Sequence, residues 1–317
     1  MPAPLDASVI VNTYRQPRSL TLALASLTAQ DHHGAWEIIV SDDGSGDETA
    51  ALVTSFAQTT LVPITYVAQA HRGNRWAAAR NRGTAQARGD VLIFLDADMV
   101  PARDVVRRHV DAQRAHPALI AGNRLWRNPA KDLADADLPE DHLTQLHQLT
   151  ESSDPEQVRR EQREQHWRQQ LIAASSPWRA WFGCHTSVPR GPQIFFDEAM
   201  TGWGPVDVEL ALRLTHHHGL PVRYQPEITA WHLDYDDGAH NPFRHADPGT
   251  DAATAYVLQT CHMIAKYPDL DLLDDLSTGF DRLTLQPDGT WRTVPRGHGG
   301  DARTTLQQAI AWHTQRS

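Results

Sequence analysis

The chain has 317 residues, is 40% apolar and 21% charged, and carries a formal net charge of −10. That composition supports a sizeable core and excludes global disorder. The acidic balance argues against a general nucleic-acid binder, so no nucleic-acid partner is expected. The N-terminal "MPAPLDASVIV" has no basic region leading into an apolar run, and no stretch approaches the roughly 18 apolar residues of a membrane span. Cys184 and Cys261 have neither disulfide-framework nor zinc-site spacing. The expectation is a cytoplasmic protein with no transmembrane segment, and a homo-oligomer is compatible with it.

Taken in order, "SVIVN" at 8–12 predicts a first strand, and "PRSLTLALASLTAQ" predicts a helix opened by Pro17 with Leu20, Leu24 and Leu27 on one face. "WEIIVSDDGSGDET" reads as a strand, an acidic turn and helix-capping residues; "ITYVAQ" at 64–69 reads as a third strand. "NRWAAARNRGTAQARG" predicts a helix ending at Gly89, followed by a fourth strand, "DVLIFLDAD". The near-continuous apolar runs at βαβ spacing suit parallel strands covered on both faces. Residues 131–175 are polar and helix-prone, either a helical insertion or lid or a solvated helix pair. "SSPWRAWFGCHTSVPR" looks packed, with Trp178, Trp181 and His185 either core or cleft lining. "THHHG" at 215–219 reads as helix surface. Towards the end, "AATAYVLQTCHMIAKY" is an amphipathic helix, "QPDGTWRTVP" a hairpin around Asp288-Gly289, and "TTLQQAIAWHTQ" a last helix.

The chemistry begins at Asp96-Ala97-Asp98, which ends the fourth strand. In an extended chain residues i and i+2 point to one side. Two carboxylates aimed at one point are unfavourable unless a cation sits between them. Mg²⁺ or Mn²⁺ takes oxygen ligands and bridges carboxylates to substrate phosphates. The alternative is a polar strand end with no ligand. Asn12 to Tyr14 and Asp42-Asp43 fall at strand ends as well, and in parallel sheets ligands bind beyond the carboxyl ends of strands. Arg72, Arg75, Arg80, Arg82 and Arg88 cluster in one segment, either a solvated helix face or an anion site.

The ordered pieces "SVIVNTYRQ", "EIIVSDDGSGDET", "RWAAARNRGTAQARGDVLIFLDADM", "CHTSVPR", "TGWGPVDVELALRL" and "AWH" together resemble the family 2 glycosyltransferases of the GT-A fold over about residues 7–232. The last three are similar to chondroitin polymerase-like and β-1,4-galactosyltransferase-like enzymes. The resemblance implies an α/β, Rossmann-like, mostly parallel sheet flanked by helices, with a helical insertion and a small C-terminal helical extension. It implies a nucleotide-sugar-binding half over 1–130, an insertion or lid over 131–175, an acceptor-binding and catalytic half over 176–249, and an extension over 250–317.

The resemblance also implies roles. Asn12, Tyr14, Asp42, Asp43, Arg75, Asp96, Ala97 and Trp203 would hold the donor. Asp98, with Asp96 and His232, would bind Mn²⁺ or Mg²⁺. Asp207 would be the general base, with Glu209 as fallback. Where such enzymes read roughly W-G-x-E-D, this chain has Val206 in place of the Glu, which leaves the sugar open. The implied activity is an inverting, hexosyltransferase-type transfer from a nucleotide-diphosphate sugar, a UDP-sugar foremost, to a hydroxyl of a small molecule or glycan. Two rivals stay open: a sugar nucleotidyltransferase and a non-catalytic sugar-nucleotide-binding protein.

Overall fold

A computed structural model describes residues 4–128, 142–151, 155–233, 252–294 and 298–316. The first half builds strand–helix units: β1 (Leu5–Thr13), α1 (Pro17–Thr28), β2 (Trp36–Asp42), α2 (Asp47–Thr59), β3 (Ile64–Ala68), α3 (Trp76–Gln86) and β4 (Gly89–Asp96). Short β5 (Met99–Pro101), α4 (Val105–Ala115) and β6 (Leu119–Arg127) follow. Next come α5 (His142–Glu151), α6 (Pro155–Ala173), a 3-10 turn at Pro177–Ala180, β7 (His185–Pro189), α7 (Val206–His218) and β8 (Val222–Leu233). The C-terminal part holds α8 (Ala252–Lys266), α9 (Leu273–Leu276), the hairpin β9 (Leu283–Leu285) and β10 (Trp291–Thr293), and α10 (Ala302–Thr314).

Among the described residues one eight-stranded sheet has the order β3-β2-β1-β4-β7-β6-β8-β5. β1 pairs in parallel with both β2 and β4, so the strand order reverses between β1 and β4. A crevice for ligands forms at such a switch point. β7 runs antiparallel between β4 and β6, β6 and β8 are parallel, and β5 is antiparallel to β8. The fold is thus α/β with a mostly parallel first half, as expected. β1 and β2 are buried almost throughout because helices cover both faces.

Leu20, Leu24 and Leu27 are fully buried on α1, as their spacing predicts. The hairpin turns at Gly289, whose φ of 84° suits glycine. Gly89 departs from expectation. The helix stops at Gln86, and Gly89 opens β4 opposite Leu5. A Cβ there would lie 2.2 Å from the Ala7 carbonyl carbon, so the glycine permits two strands to meet rather than capping a helix.

Of the expected insertion over 131–175, residues 131–141 and 152–154 lie outside the described residues. α6 packs on β6. Glu161 accepts from the Trp126 amide at 2.7 Å and pairs with Arg127 at 3.0 Å, and Glu164 pairs with Arg124 at 2.6 Å. The 249/250 boundary also lies outside the described residues. α8, β10 and α10 share one core with the sheet: Val257, Trp291 and Trp312 cluster with Phe94 and Trp181. Among the described residues no helix is long and apolar enough to cross a membrane.

Candidate active site

The sheet brings distant polar residues to one edge. Thr13 lies beside Asp42, Asn12 beside Asp96, Leu95 beside His185, and Met99 beside His232. Since β7 runs antiparallel, its leading residues Gly183 and Cys184 reach this edge too. The Cys184 carbonyl accepts from the Asp96 amide at 3.1 Å, and the Ala97 amide donates to the Asn12 carbonyl at 2.9 Å. Ala97 is fully buried and contributes main chain, not a side chain, to the site.

The β1–β3 side forms a polar corner. Asp42 accepts from the Ser45 amide and hydroxyl at 3.0 and 2.6 Å and from the Tyr66 hydroxyl at 2.5 Å. Burial and that carboxylate raise the Tyr66 pKa. Asp43 accepts from Gln69 Nε2 at 2.5 Å and from the Arg75 amide at 2.9 Å, while His71 Nδ1–H donates to its carbonyl at 2.9 Å. A carboxylate offers about four acceptor positions, so Asp43 keeps capacity for about two more donors. Tyr14 stacks on His71 with centroids 4.1 Å apart and planes 8° apart. The Arg75 guanidinium lies against Gln69 Oε1 at 3.3 Å. Asn12 is buried, and its Oδ1 finds no hydrogen-bond partner among the described residues.

At the centre stands Arg80, 2% exposed on α3. Its Nη2 donates to Asp96 Oδ1 at 2.7 Å and its Nη1 to Asp207 Oδ1 at 2.5 Å. The other oxygen of Asp207 accepts the Gly183 amide at 2.8 Å. A Cβ on Gly183 would meet Asp207 Oδ1 at 2.7 Å and Arg80 Nη1 at 2.8 Å, so a side chain there would push against the bridge. In the sequence Arg80 belongs to a basic cluster that reads as a solvated helix face or an anion site, not as a partner of two carboxylates. The available signal was its neighbourhood: it shares a helix face with Ala77, Gly83 and Thr84, all buried.

Asp96 and Asp98 take different partners. The strand ends at Asp96, and the chain turns at Ala97-Asp98, so the i, i+2 alternation of an extended chain no longer applies. Asp96 faces Arg80, whereas Asp98 Oδ2 lies 3.3 Å from His232 Nε2. Burial pushes the Asp96 carboxyl up to about 6, against the pull of Arg80 and with help from Asp98 and Asp207. Two carboxylates thus share one guanidinium, with the Asp98 charge close by, leaving an excess of negative charge.

Among the described residues no three His, Cys, Asp or Glu side chains converge as a ready metal cage. The Asp98–His232 pair does fit a cation that takes its other ligands from phosphate oxygens and water, because a carboxylate and an imidazole both suit Mn²⁺. The buried His232 Nδ1 has no hydrogen-bond partner among the described residues.

Glu209 is turned away from this site. It is 0% exposed, and its Oε1 accepts from Tyr267 at 2.5 Å, Lys266 at 2.8 Å and Arg213 at 3.3 Å, tying α7 to α8. The reason is helical: two residues along, a side chain points to a different face. Val206 is buried in the main core. Trp203 lies on Tyr256, centroids 5.5 Å apart. Trp178, Trp181 and His185 are all buried and do not line the cleft. His185 Nδ1–H donates to the Asn123 carbonyl at 2.9 Å, and its Nε2 meets His109 Nε2 at 3.2 Å. Burial and the second ring hold His109 well below the usual imidazole range, and burial lowers His185 to about 4.

The solved mannosyltransferase PcManGT from Pyrobaculum calidifontis, in complex with GDP-Man and Mn²⁺, shares the fold, with a TM-score of 0.55 at 17% identity over 100% of this chain and 77% of that one. In sequence, the chain is 28% identical to validoxylamine A glucosyltransferase of Streptomyces hygroscopicus subsp. limoneus over 97% of its own length and 64% of the relative's. It is 28% identical to the uncharacterized glycosyltransferase YfnE of Bacillus subtilis over 73% of this chain and 65% of the relative. For chondroitin synthase of Pasteurella multocida the figures are 27%, 66% and 23%. The chain therefore spans less than two thirds of the length of each of these three relatives. Residues 8–180, more than half of the chain and including β1, β4 and the Asp96-Ala97-Asp98 turn, match the profile of glycosyl transferase family 2, and to that family this chain belongs.

Proposed function

We propose that this chain catalyses an inverting, metal-dependent transfer of a hexosyl unit from a nucleotide-diphosphate sugar, a UDP-sugar foremost, to an acceptor hydroxyl. The observation that carries the reading is the Asp96–Arg80–Asp207 bridge beside the Asp98–His232 pair. It sets a carboxylate at a helix start within one guanidinium of the strand end where a diphosphate would lie. The mannosyltransferase of the same fold, solved with GDP-Man and Mn²⁺ bound, supports a sugar nucleotide and a cation.

In this reading Tyr14, Asp43 and Arg75 hold the nucleoside side, with Asn12 Oδ1 as a further acceptor. Asp98 and His232 would hold Mn²⁺ or Mg²⁺, which would offset the diphosphate charge as that group leaves. Asp207 takes the proton of the acceptor hydroxyl. That oxygen attacks the anomeric carbon on the face opposite the diphosphate, and the carbon–oxygen bond to the diphosphate breaks with its electron pair going to the phosphate. Arg80 and the Gly183 amide fix the Asp207 carboxylate and leave it acceptor positions for that proton. The acceptor we favour is a small polyhydroxylated molecule, in line with the similarity to validoxylamine A glucosyltransferase.

Incubation with UDP-glucose, Mn²⁺ and validoxylamine A tests the class of reaction. Release of UDP is the expected result. Pyrophosphate chemistry would point to a nucleotidyltransferase, although "NTYRQPRSL" has no glycine-rich loop. Binding without turnover across a panel of sugar nucleotides would leave a non-catalytic binder, the rival that Val206 favours.

A further inference from the structure

Beside the base lies an aromatic surface that the roles above leave unused. Trp167 on α6 stacks on Phe182, with ring centroids 5.7 Å apart and planes 18° apart. Phe182 is the residue before Gly183, whose amide holds Asp207. Phe182 and Gly183 are chain neighbours, so the stack and the Asp207 contact are anchored on one short segment, and Arg124, which lies against the Phe182 ring, also reaches the Cys184 Sγ at 3.7 Å. The Phe182 ring is held firmly. The guanidinium carbons of Arg168 and Arg124 lie 4.6 and 5.2 Å from its centroid. Both arginines are anchored on Glu164, at 3.0 and 2.6 Å. Arg168 also donates to the Gly122 carbonyl at 3.2 Å. Trp167 itself is 37% exposed, one of the few large apolar side chains among the described residues that reach solvent.

An exposed indole on a near-parallel ring, one residue along the chain from the amide that holds Asp207, has a specific use. The C–H face of a pyranose or cyclitol is apolar and lies flat on an aromatic ring, while its hydroxyls stay at the rim. We propose that Trp167, backed by Phe182, is the acceptor platform, and that the acceptor presents a six-membered polyol ring, a sugar or a cyclitol, at that place. The proposal rests on the transferase reading and deepens it. Trp167 is a binding residue here, not a catalytic one, and α6 is the fixed acceptor wall rather than a moving lid.

The test uses the full chain with UDP and Mn²⁺, and methyl β-D-glucopyranoside as the ring probe, read by saturation-transfer NMR. In the unaltered protein both the uridine protons and the ring C–H protons of the glucoside receive saturation. In Trp167→Ala the glucoside signal falls and its affinity weakens about tenfold, the scale at which truncating a packed tryptophan registers; the uridine signal and the thermal midpoint are unchanged. Trp167→Phe keeps a flat ring and retains most of the glucoside signal. Equal glucoside saturation in Trp167→Ala, with uridine still bound, overturns the platform and leaves the transferase reading standing. Absence of glucoside binding in the unaltered protein overturns the ring-polyol class. Absence of uridine binding removes the donor reading, and the platform with it.

Discussion

Replacing Arg80 tests the bridge at the centre of the site. Arg80→Met keeps the length and apolar contacts of the side chain and removes the charge. Breaking a fully buried ion pair by deleting one partner is destabilising by about 3–5 kcal/mol. Here Asp207 keeps 26% of its side chain in solvent, so water recovers part of that loss and about 2–3 kcal/mol is the better figure. For 317 residues the unfolding entropy is roughly 0.67 kcal/mol/K, which converts this into a fall of about 3–5 °C in the melting midpoint. Arg80→Lys restores the charge but not the fork that reaches two carboxylates, so it recovers stability only in part. Scanning calorimetry supplies the midpoints, and UDP release with acceptor present supplies the activity. Activity falls in both variants because the base is no longer fixed. A midpoint and a turnover in Arg80→Met that both match the unaltered protein would show that the bridge does not form in solution.

Further predictions concern the neighbours of that bridge. Asp98→Asn and His232→Gln each weaken Mn²⁺-supported UDP binding, about 10–100-fold by analogy with ligand-shell losses, measured by calorimetric titration with and without Mn²⁺; equal affinity in both conditions in the unaltered protein removes the metal from the account. Glu209→Gln loosens the join between α7 and α8 and lowers the midpoint by a few degrees, while turnover at a permissive temperature falls less than tenfold; abolished turnover in a folded Glu209→Gln would move the base to Glu209. Stability also falls with acid in a defined window. His109 and His185 have folded values below the unfolded value of about 6.5, so the unfolded chain binds more protons, and stability present above about 6.5 is lost as pH falls towards about 4. Asp96 works the other way over the lower part of that range, since its folded value is raised. The midpoint difference between the unaltered protein and His109→Gln should therefore shrink as pH drops from 7 to 4.5, and a difference that stays constant argues against the buried imidazole pair.

Much of this architecture is visible in the chain itself. Continuous apolar runs such as "SVIV" and "VLIFL" announce strands buried on both faces, and the polar residues that follow them mark the ligand edge. What the sequence conceals is mostly non-local. Arg80 and Asp207 are 127 positions apart, and only the packing of α3 against β1 and the start of α7 joins them. His232 comes near Asp98 through the pairing of β5 with β8, a three-residue strand that no periodicity announces. The turn at Ala97-Asp98 gives two carboxylates that strand alternation would have aligned different partners, Arg80 and His232. Glu209 stood as the fallback to Asp207 at the same helix start, yet helical rotation sends Asp207 towards Arg80 and Glu209 into a buried cluster with Lys266 and Tyr267. Gly89 shows the same lesson for the fold: a glycine after a helix read as a cap, whereas the constraint came from the Ala7 backbone opposite.

The most direct test of the account is Asp207→Asn, assayed for sugar transfer and for UDP binding with Mn²⁺ in the same preparation. The substitution keeps size and leaves the Gly183 contact possible, but an amide cannot take the acceptor's proton. A general base contributes on the order of 10²–10⁴-fold to rate. Transfer should fall by about that factor while the affinity for UDP and Mn²⁺ stays nearly unchanged, because the residue acts on the acceptor. Transfer at the unaltered rate in Asp207→Asn, with the donor bound as before, would contradict the proposed mechanism at its centre.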